Sequence, residues 1–61
     1  MMSREEFMAL CSLVEYLLDN EKTSFDEWID GGGKPDDHVY CKAMKLDDYI
    51  AGLLLDGKAP K

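Results

Sequence analysis

The residues with the most chemistry in them lie close together. Asp37, His38 and Cys41 fall within one short stretch, and carboxylate, imidazole and thiolate are the donors that hold zinc. On a helix His38 and Cys41, three apart, share a face. Zinc wants four ligands, usually in two tightly spaced pairs. The second pair is missing here, because His38 is the single histidine and Cys11, the other cysteine, belongs to an apolar stripe. The sequence therefore assigns no metal and no cofactor. The same two residues raise a second chemistry, a thiolate nucleophile with a histidine base. That also needs an orienting group and a pocket, which two helices of this length do not enclose. No catalytic residue is assigned, the chain reads as non-enzymatic, and Cys41 reads as a small semi-apolar side chain.

Gly31-Gly32-Gly33-Lys34 invites comparison with a phosphate-binding loop. Such a loop follows a strand and has the spacing G-x-x-x-x-G-K-[ST]. Neither feature is present, and Asp30, Asp36 and Asp37 would repel an anion. The run reads as a helix terminator and connector.

The elements that must position these residues are helical. Ser3-Arg4-Glu5-Glu6 is a capping box. Behind it Phe7, Leu10, Cys11, Val14, Leu17 and Leu18 recur within a stripe about 120° wide, which predicts a helix from about Arg4 to about Asn20. Ser24-Phe25-Asp26-Glu27 is a second capping box and predicts a short helix over about 25–30. Two turns do not stand alone in water, so Phe25, Trp28 and Ile29 must pack on something larger. Pro35 suits a helix start, and Asp36 and Asp37 suit its dipole. Val39, Ala43, Leu46, Ile50, Leu53 and Leu54 keep one register across Asp47-Asp48. One helix over about 36–55 is therefore expected, with a break at Asp47 as the alternative. Gly52 costs roughly 1 kcal/mol inside it. Residues 56–61 form a polar tail.

With 61 residues the chain is a single domain that buries only about 60% of its extended surface. The fold class expected is all-α. Two long helices form an antiparallel hairpin with the short helix in the connection and Trp28 plugging one end of the core. Homodimerisation into a four-helix bundle follows from so thin a core. The rival is a monomer with the short helix folded over the hairpin as a three-helix domain. Ala9, Leu13 and Tyr16 lie about 100° to 160° from the centre of the first helix's stripe. They have no evident intramolecular partner, and form the candidate dimer interface.

Charge carries the functional reading. Acids outnumber bases 13 to 7, for a net charge of −6. Residues 1–30 hold eight acids against Arg4 and Lys22, so that half carries −6, while 31–61 hold five of each sign. Phosphate contacts need clustered Lys and Arg, so direct nucleic-acid binding is not expected. An anionic membrane surface is disfavoured for the same reason, and no apolar run is long enough to span a bilayer. The opening Met1-Met2-Ser3-Arg4-Glu5-Glu6 lacks the pattern of a signal peptide. A cytoplasmic protein with reduced cysteines is expected.

Glu5, Glu6, Asp26, Glu27, Asp36 and Asp37 occupy predicted first turns, where the helix dipole stabilises them. Glu15, Asp19, Glu21 and Asp30 have no such support. Glu15 and Asp19 are a like-charged i,i+4 pair, and Asp19 and Asp30 stand at C-terminal ends. Acids that local energetics disfavour point to function. The candidate partner-binding patch is therefore Glu15, Asp19, Glu21 and Asp30, with Asp26 and Glu27 on its margin. The chain reads as a non-catalytic acidic protein-binding module. An inhibitor or regulator that offers carboxylates, in place of phosphates, to the basic surface of a nucleic-acid-handling protein fits this description, of a kind that a virus or plasmid would encode. The alternative is a structural or regulatory subunit that binds a partner through apolar helix faces.

Overall fold

A computed structural model of the chain describes residues 2–60; Met1, and Lys61 of the expected tail, lie outside the described residues. The protein is all-helical: α1 spans Arg4–Asn20, α2 Lys22–Asp30 and α3 Val39–Leu55, with a single 3-10 turn over Pro35–Asp37. Among the described residues there is no strand, and no helix is long and apolar enough to cross a membrane.

α1 begins where its capping box places it. The Glu6 amide donates to Ser3 Oγ at 3.1 Å, and the Ser3 amide donates to Glu6 Oε1 at 3.0 Å. The Ser3 amide first, and the Ser3 hydroxyl second, hold the Glu6 carboxyl below its ordinary range.

The second capping box does not form. The chain passes from α1 to α2 through the single residue Glu21, at φ −106° and ψ 3°. The Glu21 amide closes α1 on the Leu17 carbonyl at 2.9 Å, while its own carbonyl accepts the Phe25 amide at 2.8 Å and opens α2. One residue thus terminates one helix and starts the next, and α2 begins at Lys22 with no side-chain cap. Ser24 lies inside the first turn, where its hydroxyl is free for another partner.

α3 also starts later than its proline suggests. Pro35, Asp36 and Asp37 wind a 3-10 turn, and the chain then extends at His38, φ −90° and ψ 142°, which is the N-cap of α3. Asp36 and Asp37 therefore precede this helix and are not part of its first turn. α3 runs unbroken through Asp47-Asp48 and tolerates Gly52. It ends in a Schellman arrangement. The Lys58 amide donates to the Leu53 carbonyl at 2.9 Å and the Gly57 amide to that of Leu54 at 3.3 Å. Gly57 supplies the positive φ of 69° that this turn requires.

The core is the seam between α1 and α3. Phe7 and Val14 meet Ala43 and Ile50, and Leu10, Cys11, Leu17, Leu18, Leu53 and Ala59 pack against them. Phe7, Leu10, Tyr49, Leu53, Lys58 and Pro60 help to line one cavity of about 190 Å³, so the start of α1 lies beside the end of α3. The apolar stripe of α1 is inside as expected, but that of α3 is inside only in part. Val39, Leu46 and Leu54 are exposed. Trp28 is exposed as well and does not plug the core. The dimensions explain this. The molecule measures 42 × 18 × 16 Å, and a helix with its side chains is about 10–12 Å thick. A section this narrow has no room for a third layer over the seam. A helix of 17 residues spans about 25 Å, so α2 and its turn extend the molecule lengthwise and do not roof it.

Core and surface positions of α3 should respond very differently. Ile50→Ala is expected to cost about 2–5 kcal/mol in urea unfolding, enough to unfold most of the protein, whereas Leu54→Ala should stay within about 0.5 kcal/mol of the parent.

Candidate functional site

The chemistry-bearing side chains gather where α2 meets the start of α3. His38 is held at both ring nitrogens. Its Nδ1 accepts the Tyr40 amide at 3.0 Å, which caps α3. Its Nε2 lies 3.2 Å from Ser24 Oγ on α2. The ring meets Phe25 edge-on, with centroids 5.5 Å apart, and lies 6.0 Å from Trp28. Phe25 in turn packs against Tyr40 at 4.9 Å. The imidazole is thus a linchpin between α2 and α3. His38 stands outside α3 as its cap, so it does not share a helix face with Cys41 as its spacing suggests.

A serine 3.2 Å from a histidine resembles a nucleophile with its base, but the hydrogen bonds run the wrong way. A backbone N–H always donates, so Nδ1 must be the unprotonated nitrogen. In neutral imidazole the proton then sits on Nε2, which donates to Ser24 Oγ. A general base needs the opposite tautomer, with a lone pair facing the hydroxyl. The contact joins α2 to the cap residue of α3.

Cys41 is committed elsewhere. Its Sγ donates to Asp36 Oδ1 at 3.6 Å, and Lys45 Nζ donates to the same oxygen at 3.2 Å. Lys45 first, and the Cys41 thiol after it, hold the Asp36 carboxyl below its ordinary range. With both nitrogens of His38 occupied, neither serves Cys41. Among the described residues no three His, Cys, Asp or Glu side chains form a group that could hold a metal ion.

The glycine run is shaped around Trp28. Trp28 Nε1 donates to the Lys34 carbonyl at 2.8 Å, and the Gly33 amide donates to the Trp28 carbonyl at 2.8 Å. A Cβ on Gly33 would collide with the indole ring. Gly32, at φ +87°, reverses the chain. The tryptophan expected in the core therefore closes the connector instead, lying flat against a glycine and satisfying its own N–H on the backbone beyond it.

The proposed carboxylates are spread over α1 and α2. Glu15, Asp19, Glu27 and Asp30 are exposed, while Glu21 is half-buried at the junction. Asp26 accepts from Lys22 Nζ at 2.7 Å, one turn away on α2. The ion pair raises the Lys22 pKa, the hydrogen bond that its ammonium donates to Asp26 being the chief cause, and the ammonium also lies 5.9 Å from the Phe25 ring and 5.7 Å from that of Tyr40. Asp26 is thus neutralised locally. The other five make no ion pair among the described residues. On α1, Leu13 and Tyr16 are 55% and 62% exposed, and Ala9 is exposed too. The structure adds Leu46 and Tyr49 of α3, at 41% and 63%, which the sequence placed in the core or left unassigned. The Ser24–His38 contact was also missed, since no local rule pairs residues 14 positions apart.

No protein-family model matches the chain, and no curated protein or solved structure is significantly similar to it.

The Trp28–Gly33 contact has a direct optical test, because Trp28 is the single tryptophan. Gly33→Ala should destabilise the protein by about 1–3 kcal/mol, the usual range for a forced overpacking, and shift the indole emission to the red. Gly31→Ala should do neither, since the nearest neighbour to its Cβ is an ordinary 3.5 Å away.

Proposed function

We propose that this chain is a non-catalytic protein-interaction module, built as an antiparallel helical hairpin of α1 and α3 with α2 in the connection. Its acid-rich first half meets a basic protein surface. The observation that carries this reading is the state of the carboxylates. Glu15, Asp19, Glu27 and Asp30 are exposed and make no ion pair among the described residues, in the half of the chain that holds all of its net charge. Asp19 and Asp30 end α1 and α2, where the helix dipole disfavours an anion. Stability therefore does not account for them. A focused negative field speeds encounter with a basic surface and loses its effect as salt rises.

A basic surface of this kind most commonly serves to bind phosphate, so the partner we propose is a nucleic-acid-handling protein. The chain acts as its inhibitor or regulator, in the cytoplasm, without binding nucleic acid or membrane itself. The reading needs no enzyme chemistry. A second reading, a subunit that works through apolar helix faces, is favoured by one observation. Leu13, Leu46 and Tyr49 are open to solvent on the two helices that form the core.

The test uses lysate proteins retained on phosphocellulose, a phosphate-bearing matrix that selects basic phosphate-binding surfaces. The immobilised chain should capture a component of this fraction, release it to added DNA, and release it again at about 1 M salt, where the Debye length is about 3 Å. Asp19→Lys with Asp30→Lys should abolish capture while leaving the helical circular dichroism intact, because both new cations suit a helix C-terminus. Capture that survives both the reversal and high salt would favour the apolar reading.

A further inference from the structure

α2 has nine residues and buries none of them fully, and a helix that short does not hold together alone in water. Its polar grip on the start of α3 runs through one ring. His38 is the single histidine and is half-buried. Its Nδ1 accepts the Tyr40 amide at 3.0 Å, its Nε2 stands 3.2 Å from Ser24 Oγ, and Phe25 and Trp28 flank it from α2. The cap needs a lone pair at Nδ1, because the amide is the donor. Imidazolium carries a hydrogen on both nitrogens. Protonation would therefore set two N–H groups against each other across 3.0 Å and place a cation at the positive end of α3. The ring cannot leave the cap without disturbing the Ser24 and Phe25 contacts that it also makes.

We propose that His38 is a pH-sensitive clasp: neutral, it caps α3 and holds α2, and on protonation it gives up the cap and releases α2. The charges around it leave this balance in place. On α2, Lys22 and Asp26 neutralise each other, and the Lys22 ammonium, beside the Phe25 and Tyr40 rings, opposes a second cation. Glu21 and Glu27 stand three residues to either side of Ser24. In the 3-10 turn Asp36 is taken by Lys45 and the Cys41 thiol, and Asp37 precedes the cap. On α3, Tyr40 and Lys42 follow it. Glu21, Glu27 and Asp37 favour a cation, but none of them hydrogen-bonds the ring, so their attraction acts at longer range than the lost cap. Proton uptake sets the sign. The released imidazole takes a proton in the ordinary histidine range, near 6.5, whereas the clasped one must first surrender a bond. The clasp is at full strength above that range and weakens as pH falls below it. Carboxylates titrate near 4 and thiols near 8.5, outside this window. The clasp is a property of the connection and does not rest on the acidic-surface reading, although α2 carries Asp26, Glu27 and Asp30.

NMR on the full chain tests it. At about pH 7.5 the imidazole nitrogen shifts should show Nε2 protonated and Nδ1 bare. Between about pH 7.5 and 5.5, amide protection, corrected for the intrinsic exchange rate at each pH, should fall about tenfold at Tyr40 and along α2 together. That is the combined worth of a helix cap and an adverse charge at a helix end. His38→Asn, whose side-chain oxygen caps a helix at every pH, should keep the Tyr40 amide protected and abolish the acid response of α2. Asp37→Asn should leave the response in place. The opposite tautomer, protection that does not change in this window, or an equal response in His38→Asn overturns the proposal. A response at Tyr40 that α2 does not share also overturns it, because His38 would then cap α3 without holding α2.

Discussion

The whole structure depends on how closely α1 approaches α3. Val14 and Ala43, both only 1% exposed, mark the seam, and an alanine on one side is what brings two helix backbones near each other. Phe7 and Ile50 extend the seam. This is a single row of contact and not a three-dimensional core. Two cylinders that touch along a line shield only the strip between them, so residues further round either helix stay wet whatever their hydrophobicity. The exposure of Leu13, Leu46 and Tyr49 is therefore no accident of side-chain choice. A 61-residue chain that spends 17 residues on each long helix has too little left to roof the pair.

What the chain does with the remainder is to fasten the connection. α2 is too short to be stable by itself and buries no residue fully. It is held by directional contacts: Ser24 and Phe25 to His38, Phe25 to Tyr40, and Trp28 to the backbone at Lys34. His38 joins two of these tasks, because the nitrogen that caps α3 fixes the tautomer that reaches α2. The residues with the most reactive side chains are thus used as fasteners. Their side chains tie α2 to the connector and to the start of α3.

The parts of this fold that were legible in the sequence are those governed by neighbours along the chain. The capping box at Ser3 and Glu6, the six-residue stripe of α1 and the continuity of α3 through Asp47-Asp48 all follow from periodicity and hydrogen bonds within a few residues. The errors come from competition between two local rules or from distant contacts. Ser24 satisfies the capping-box pattern, but Glu21 reaches the next helix first and leaves no end to cap. Pro35 suits a helix start, yet three residues of 3-10 turn intervene before His38 caps α3. Trp28 is the most apolar bulk in the connection, and hydrophobicity alone sends it inward. Its N–H and the absence of a Cβ on Gly33 decide otherwise, and that pairing is visible only once the connector is folded. Of the candidate patch, the exposure of Glu15, Asp19, Asp26, Glu27 and Asp30 was legible, whereas Glu21 is half-buried at the junction of α1 and α2. The local neutralisation of Asp26 by Lys22 was also within reach, as an i,i+4 pair on a helix that begins at Lys22.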